Sequence, residues 1–272
     1  MRTWKYAVSY AQVSPITSPL PFCGDLYACM RKAADFGYDA IEFHTRETYA
    51  FDFDKIRTVQ SECGAGICML VTGRLFTEGG FSLLDADPVK VQGALAGFRA
   101  YIDAAEKLGA GIVIGWAKGN VPPDGDRAEY MSLLAERLRT INDDAKIHGV
   151  PVNLEVINHY ESNIFNTCQE TAEFIMSHKL DNCYIHLDTY HMALEERDPC
   201  QAIRAAGSLL GYVHVSDNTR HYPGSGTFDF KKILQALDEA GYTGYVTVEC
   251  IPDPDRNISA QKAIAHLIAC EP

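Results

Sequence analysis

Four short apolar segments in the second half of the chain each end in a residue that can bind a metal ion. These residues are Glu155, Asp188, His214 and Glu249, at intervals of 33, 26 and 35 residues. One strand plus one helix of a (β/α)8 barrel takes roughly 30 residues, because about 250 residues make eight such units. The strands of that barrel are parallel and end on one face. We therefore expect the four side chains to meet above the barrel axis.

The chemistry of this set is that of a divalent cation site. Three carboxylates and one imidazole suit Mn²⁺, Mg²⁺ or Co²⁺ better than a metal that prefers thiolates, and zinc is less favoured. Such an ion can polarise the carbonyl of a sugar. Glu155 and Glu249 are then predicted to be the acid and base that move a proton beside that carbonyl. Any single acidic residue could equally end a strand facing solvent, so the prediction depends on the four together.

Four further residues could hold a substrate at this face. Glu161, His191 and Arg220 each follow a candidate ligand and could hydrogen-bond a carbonyl and its neighbouring hydroxyls. Trp116, after the fourth apolar segment, could stack on the apolar face of a sugar. His186 precedes Asp188 by two residues, so it is expected one layer deeper, in a supporting or packing role.

The elements that must position these residues alternate along the chain. Eight short apolar segments are separated by amphipathic ones, which predicts a parallel sheet covered by helices. Eight strands favour a closed α/β barrel, the (β/α)8 TIM barrel, as a single domain over residues 1–272. An open sheet is less favoured because the first strand lacks a G-x-G-x-x-G turn. The predicted strands are Lys5–Ser9, Ala40–Phe43, Ile67–Val71, Gly111–Trp116, Val152–Ile157, Cys183–Asp188, Gly211–Val215 and Tyr245–Glu249.

Glycine recurs just before several predicted strands. A glycine there can take the positive φ that ends a helix, and each therefore marks a helix C-terminus. The glycines are Gly37, Gly64, Gly109, Gly149 and Gly241.

Composition excludes several classes of partner. The 272 residues carry a net charge of −12, which disfavours nucleic acid and anionic membranes. No apolar stretch reaches the roughly 18 residues of a membrane span, and Met1–Phe22 lacks the features of a signal peptide. Nine cysteines without a C-x-x-C pair are expected to be reduced thiols. We expect a soluble, cytoplasmic protein.

Several segments resemble the sugar phosphate isomerase/epimerase family with xylose-isomerase-like TIM barrels, in particular ketose 3-epimerases of the D-tagatose/D-psicose type. The resemblance extends over nearly the whole chain. His159 departs from it, because an arginine commonly follows the asparagine at position 158 in that group. The matching segments are Leu154–Glu161, His186–His191, His214–Arg220 with Pro223–Gly226, and Val246–Glu249.

The resemblance implies specific roles for the candidate residues. The Mn²⁺-like ion would be bound by Glu155, Asp188, His214 and Glu249. Two of these residues, Glu155 and Glu249, would also shuttle the proton at C3. Glu161, His191 and Arg220 would hold the ketone end of the substrate. Homodimers or homotetramers are implied as well.

The predicted function is a divalent-metal epimerase that inverts the carbon next to a ketone in a ketose or keto-sugar derivative, through a cis-enediolate. An aldose-ketose isomerase would move the proton between C1 and C2 with the same groups. A lyase acting on 3-oxo-glycosides would expel the aglycone after the same deprotonation. A non-catalytic sugar-binding barrel is a further alternative. A DNA-cleaving barrel is disfavoured by the negative charge.

Overall fold

Eight parallel strands form a closed ring in the computed structural model, which describes residues 2–272. Each strand pairs with the next one along the chain, and the last pairs with the first, which closes the barrel. A short ninth strand, β2, pairs only with the end of β1. The strands are β1 (Lys5–Ala11), β2 (Phe22–Cys23), β3 (Ala40–His44), β4 (Gly66–Val71), β5 (Gly111–Ile114), β6 (Val152–Glu155), β7 (Cys183–Asp188), β8 (Leu210–Val215) and β9 (Tyr245–Val248).

Helices connect the strands on the outside of the ring. They are α1 (Leu26–Phe36), α2 (Phe53–Cys63), α3 (Arg74–Thr77), α4 (Pro88–Leu108), α5 (Arg127–Ile147), α6 (Cys168–Ser177), α7 (Thr189–Glu195), α8 (Pro199–Ala206), α9 (Phe230–Glu239) and α10 (Arg256–Ala269). Two 3₁₀ turns, Trp116–Lys118 and Gly207–Leu209, complete the set. Aspartate side chains cap most of the helix N-termini, where a carboxylate accepts otherwise unpaired backbone N–H groups. Part of the acidic excess of the chain is therefore structural.

The closed barrel confirms the predicted fold and excludes the open sheet. All eight predicted strands form, and the five predicted glycines have φ between +64° and +94°. Three strands are shorter than predicted. β5 ends at Ile114 because a 3₁₀ turn starts at Trp116, β6 ends at Glu155, and β9 ends at Val248, one residue early. The predicted domain bounds of 1–272 stay a prediction, since residue 1 lies outside the described residues.

Apolar side chains fill the barrel on both sides of the strands. A large cluster joins the strands to the surrounding helices. A smaller cluster has members on five strands around the ring, including Ala7, Ala40, Met69, Val113 and Tyr212, and packs inside the barrel. No helix in the described part of the chain is long and apolar enough to cross a membrane.

Candidate metal centre and active site

The four candidate ligands lie at the carboxyl ends of β6 to β9. Glu155 and Asp188 are the last residues of β6 and β7, and Glu249 directly follows β9. His214 pairs in register with Asp188 across β7 and β8. The barrel register therefore brings these side chains to one face, as the spacing in the sequence predicts.

The distances among these side chains define three overlapping groups, one of which joins Glu155 to His186 and His214. Asp188, His214 and Glu249 offer ligand atoms that all lie within 4.8 Å of one another. Nδ1 of His214 is 3.2 Å from Oε2 of Glu249 and 3.7 Å from Oδ2 of Asp188. His191 links Glu155 to Asp188, because its Nε2 lies 4.0 Å from both Oε1 of Glu155 and Oδ2 of Asp188.

His214 provides a direct test of whether this group suits a metal ion. Ligand atoms about 2.1 Å from one ion lie about 3.0–3.4 Å apart in octahedral or tetrahedral geometry, close to the separations around Nδ1. Nδ1 is buried and makes no hydrogen bond with any described residue. Nε2 lies 2.6 Å from Oε2 of Glu42, so an imidazole that donates there turns a free lone pair towards Asp188 and Glu249. The donor set fits a divalent cation.

Glu42 belongs to this centre, and the sequence analysis missed it. Its carboxylate is buried in the middle of β3, and Oε1 accepts hydrogen bonds from Oγ of Ser9 and Nε2 of His44, each at 2.7 Å. Burial raises the pKa of Glu42, but His214 and His44 outweigh it and hold that pKa well below its usual value. An acidic residue inside an apolar segment was the available signal, because a buried charge needs partners.

Arg220 forms salt bridges with the carboxylates of two candidate ligands, Asp188 and Glu249. Its guanidinium donates to Oδ2 of Asp188 and Oε2 of Glu249. Burial raises the pKa of Asp188, but Arg220 and the nearby histidines outweigh it and keep that pKa well below normal. For His214 in the absence of an ion, burial lowers the pKa, and the carboxylates of Glu42 and Glu249 reverse this and raise it well above normal, so a cation bound at Nδ1 would displace a proton. Arg220 and a cation would therefore share the same carboxylate oxygens.

Glu155 has the opposite electrostatic character. Burial, and next the negative charge of Glu249, raise its pKa to about 8. The sequence analysis also missed Lys118, a fully buried lysine whose Nζ donates to the carbonyl of Gly115 at 3.3 Å. Burial lowers the pKa of Lys118 to about 8, against the opposing effect of Glu155 and Glu161. The surroundings of Glu155 thus favour its protonated form in the absence of an ion.

The remaining predicted residues surround this centre. Oε1 of Glu161 accepts from Nδ2 of Asn158 at 2.9 Å, and the same amide lies 2.7 Å from Nδ1 of the buried His191. Trp116 is 43% exposed and lines a cavity that Glu161 also lines. His186 is buried and packs edge-on against His214, with ring centroids 4.1 Å apart, one layer below the ligands.

The neighbour of Asn158 faces away from the centre. Backbone N–H and Nδ1 of His159 both pair with Oε1 of Glu195, near the end of α7. His159 therefore braces the loop after β6 against α7. The arginine expected at this position from the family resemblance is replaced by a loop contact.

Comparison with known proteins identifies the family. Residues 30–270 match the xylose isomerase-like TIM barrel family. The chain belongs to that family. An L-ribulose 3-epimerase of Methylomonas sp. (strain DH-1) is 31% identical over 220 residues, which cover 80% of this chain and 75% of the relative. This family member is therefore a sugar epimerase/isomerase.

Two further relatives differ in the kind of sugar named. A 3-dehydro-D-guloside 4-epimerase of Escherichia coli (strain K12) is 36% identical over 156 residues, covering 53% of this chain and 58% of the relative. The crystal structure of a D-allulose 3-epimerase from Methylomonas sp. in complex with D-allulose is 26% identical, with a TM-score of 0.79, and covers 99% of this chain and 98% of that one. Ketose 3-epimerases are generally metal-dependent, and this family member has a cluster that could hold a metal ion.

Proposed function

We propose that the protein is a divalent-metal-dependent epimerase of the 3-epimerase type, which inverts the carbon next to the ketone of a ketose or keto-sugar derivative. Glu155, Asp188, His214 and Glu249 would hold the ion, with Mn²⁺ the preferred one. One observation carries the proposal. The buried Nδ1 of His214 has no hydrogen-bond partner among the described residues and lies between two carboxylates.

The pKa values of the two glutamates are shifted in opposite directions, which suits an acid and base pair. Burial raises the pKa of Glu249, but His214 and Arg220 outweigh it and lower that pKa below its usual value. The pKa of Glu155 is raised to about 8. Neighbouring groups whose surroundings push their pKa values apart are suited to opposite roles. Without an ion, the surroundings thus favour the ionised form of Glu249, which suits a base, and the protonated form of Glu155, which suits an acid.

The opposite pKa shifts of Glu249 and Glu155 suit one direction of the reaction. A bound divalent ion would polarise the substrate carbonyl and so acidify the neighbouring C–H bond. The carboxylate of Glu249 takes that proton, and the electrons of the broken bond form the cis-enediolate of the sugar. Glu155 then returns a proton to the opposite face, which inverts the carbon. In the reverse direction the two residues exchange roles.

The substrate would be oriented by residues around the pair. Asn158 joins Glu161 to His191, whose Nε2 lies 4.0 Å from Oε1 of Glu155. Glu161 would accept hydrogen bonds from hydroxyl groups of the sugar, and Nε2–H of His191 would donate to its oxygen atoms. Arg220 would move part of its guanidinium from Asp188 and Glu249 to the substrate oxygen. Trp116 would cover an apolar face of the substrate.

NMR of the Mn²⁺-loaded protein in D₂O tests this function. D-fructose, D-tagatose, D-psicose and methyl 3-oxo-β-D-glucoside are the substrates. Deuterium at the carbon next to the ketone together with a new epimer is the expected result, lost after chelation and restored by Mn²⁺. Deuterium at C1 or C2 with aldose formation would assign an isomerase, and release of methanol from the glucoside would assign a lyase. Absence of exchange in all four would overturn the proposal in favour of a binding barrel.

The finer expectations stay predictions. A homodimer or homotetramer is expected from the family resemblance, and sedimentation velocity measures it. The cytoplasmic location is likewise open to cell fractionation.

A further inference from the structure

A cavity of about 240 Å³ adjoins the candidate active site. Three segments line it: α3, the 3₁₀ turn after β5 with the residues that follow it, and the loop after β6. Glu161 belongs to the cavity wall and, through Asn158, reaches His191 beside the centre. The cavity is thus continuous with the place where the ketone end of a sugar would be held.

The chemistry of the wall favours an uncharged ring. Phe76 and Trp116 are each 43% exposed, so both rings keep apolar surface that a ligand could cover. Both line the cavity. Glu161 is the one charged residue among its lining residues, and no lysine or arginine lines it to attract a phosphate. Aromatic faces bind the apolar faces of sugars and aryl groups.

Hydrogen bonds between two loops hold the cavity in shape. Oδ1 of Asn120 accepts from Oγ of Ser162 at 3.2 Å and from the backbone N–H of Asn163 at 2.9 Å. The side chain of Asn163 in turn bonds both backbone groups of Val121, at 3.0 and 2.7 Å. These bonds tie the loop after β5 to the loop after β6. A ligand that enters therefore does not have to order the walls, which favours affinity.

We infer that this cavity is a subsite for an uncharged cyclic group joined by a glycosidic bond to the reacting sugar, so that the preferred substrates are keto-glycosides. The inference rests on the proposed function for the reacting ring. A free ketose held by Glu161 and His191 has no second ring to place between Phe76 and Trp116. A glycoside has a second ring, and the contact of that ring with the two aromatic side chains would raise kcat/KM.

Fluorescence measures binding at the subsite without turnover. The chain has two tryptophans, and Trp4 is 2% exposed, so Trp116 is the accessible one. Phenyl β-D-glucopyranoside, which has no ketone and cannot react, is titrated against its methyl analogue. We expect saturable changes in Trp116 emission, with a Kd at least tenfold lower for the phenyl compound. Trp116→Phe should lose the signal and serves as the optical blank.

Two substitutions locate the contact. Phe76→Ala leaves the fluorescent residue in place and should raise the Kd of the phenyl compound at least tenfold. Tyr49→Ala is the matched control, because Tyr49 is an aromatic residue with 79% exposure that does not line the cavity. Its Kd should stay within twofold of the parent value. Equal Kd values for the phenyl and methyl compounds, or an unchanged Kd in Phe76→Ala, would overturn the subsite.

Turnover separates this inference from the proposed function. For the Mn²⁺-loaded enzyme, kcat/KM should be at least tenfold higher for phenyl than for methyl 3-oxo-β-D-glucoside, and Phe76→Ala should abolish that ratio. A ratio near one, with normal exchange next to the ketone, would overturn the subsite and leave the epimerase intact. Selective phenyl binding without exchange in any of the ketoses or 3-oxo-glucosides would overturn the epimerase and leave the subsite.

Discussion

The two halves of the barrel contribute to the candidate site in different ways. In the second half, from β6 to β9, the chemically important side chains lie at or near strand ends, as Glu155 and Asp188 do. In the first half they lie deeper or beyond the strands. Glu42 is in the middle of β3, and Lys118 is in the 3₁₀ turn after β5. The second half would therefore supply the ligands of the ion and the two proton-transfer residues, while the first half holds those side chains in position and adds aromatic side chains that line the cavity beside them.

This division predicts graded effects of substitution. Removing a group that transfers a proton eliminates a step of the reaction. Removing a group that only orients another one leaves the step in place with poorer geometry. The expected effects below run from the largest to the smallest.

Replacement of either proposed proton-transfer residue should have the largest effect. Glu249→Gln and Glu155→Gln each lose a proton acceptor, and kcat should fall about 1,000-fold, since general acid–base catalysis contributes about 10²–10⁴-fold. Steady-state kinetics and circular dichroism measure activity and fold. Glu47→Gln is the control, as an exposed glutamate in the loop after β3. Normal turnover in either active-site variant would sink the proton shuttle.

Gly115→Ala tests whether the first half positions Glu155. A Cβ added at Gly115 would overlap Oε2 of Glu155, so the carboxyl group must move. A displacement of about 1 Å can cost about 100-fold in rate, and we expect a loss of that order in kcat with the fold retained. Gly73→Ala is the matched control. Gly73 also follows a barrel strand, β4, and a Cβ added at Gly73 meets nothing within 4 Å. Equal kinetics in the two alanine variants would remove the positioning argument.

Glu42→Gln should weaken metal binding more than it disturbs the fold. The amide cannot accept all three hydrogen bonds that the carboxylate takes from Ser9, His44 and His214. Loss of such a supporting carboxylate costs about 10–100-fold in metal affinity. Calorimetric titration with Mn²⁺ should show this increase in Kd. Ser9→Ala removes one neutral donor and should change Kd less. If Glu42→Gln bound Mn²⁺ with the Kd of the parent, Glu42 would contribute to packing and not to metal binding.

The smallest effect concerns the stability of the metal-free protein. With a pKa of about 8 against 4.5, folded Glu155 binds more protons than unfolded Glu155 between these values, so stability falls as pH rises through this window. Folded Lys118, with a pKa of about 8 against 10.5, binds fewer protons above pH 8, so its effect reverses the trend. Urea unfolding from pH 5 to 8 should show a decline that Glu155→Gln reduces. Parallel curves for the parent and this variant would contradict the raised pKa.

The fold was largely predictable because local patterns and chain connectivity both specify it. Apolar segments separated by amphipathic ones predicted all eight barrel strands. The glycines predicted to end helices do have positive φ. The two-residue strand β2 was missed because it has no pattern of its own. The convergence of residues on one face was also predictable, since parallel strands end together.

The sequence by itself determined which residue types end the strands, and with them the donor atoms available for a divalent ion. Only the tertiary structure decided their partners. Glu42 meets His214 across 172 positions of sequence, and Arg220 reaches both Asp188 and Glu249. Barrel closure and strand register set such pairs, and neither leaves a periodic signal in the chain. The protonation of the centre follows from burial and from these distant partners, which is why spacing alone could not predict it.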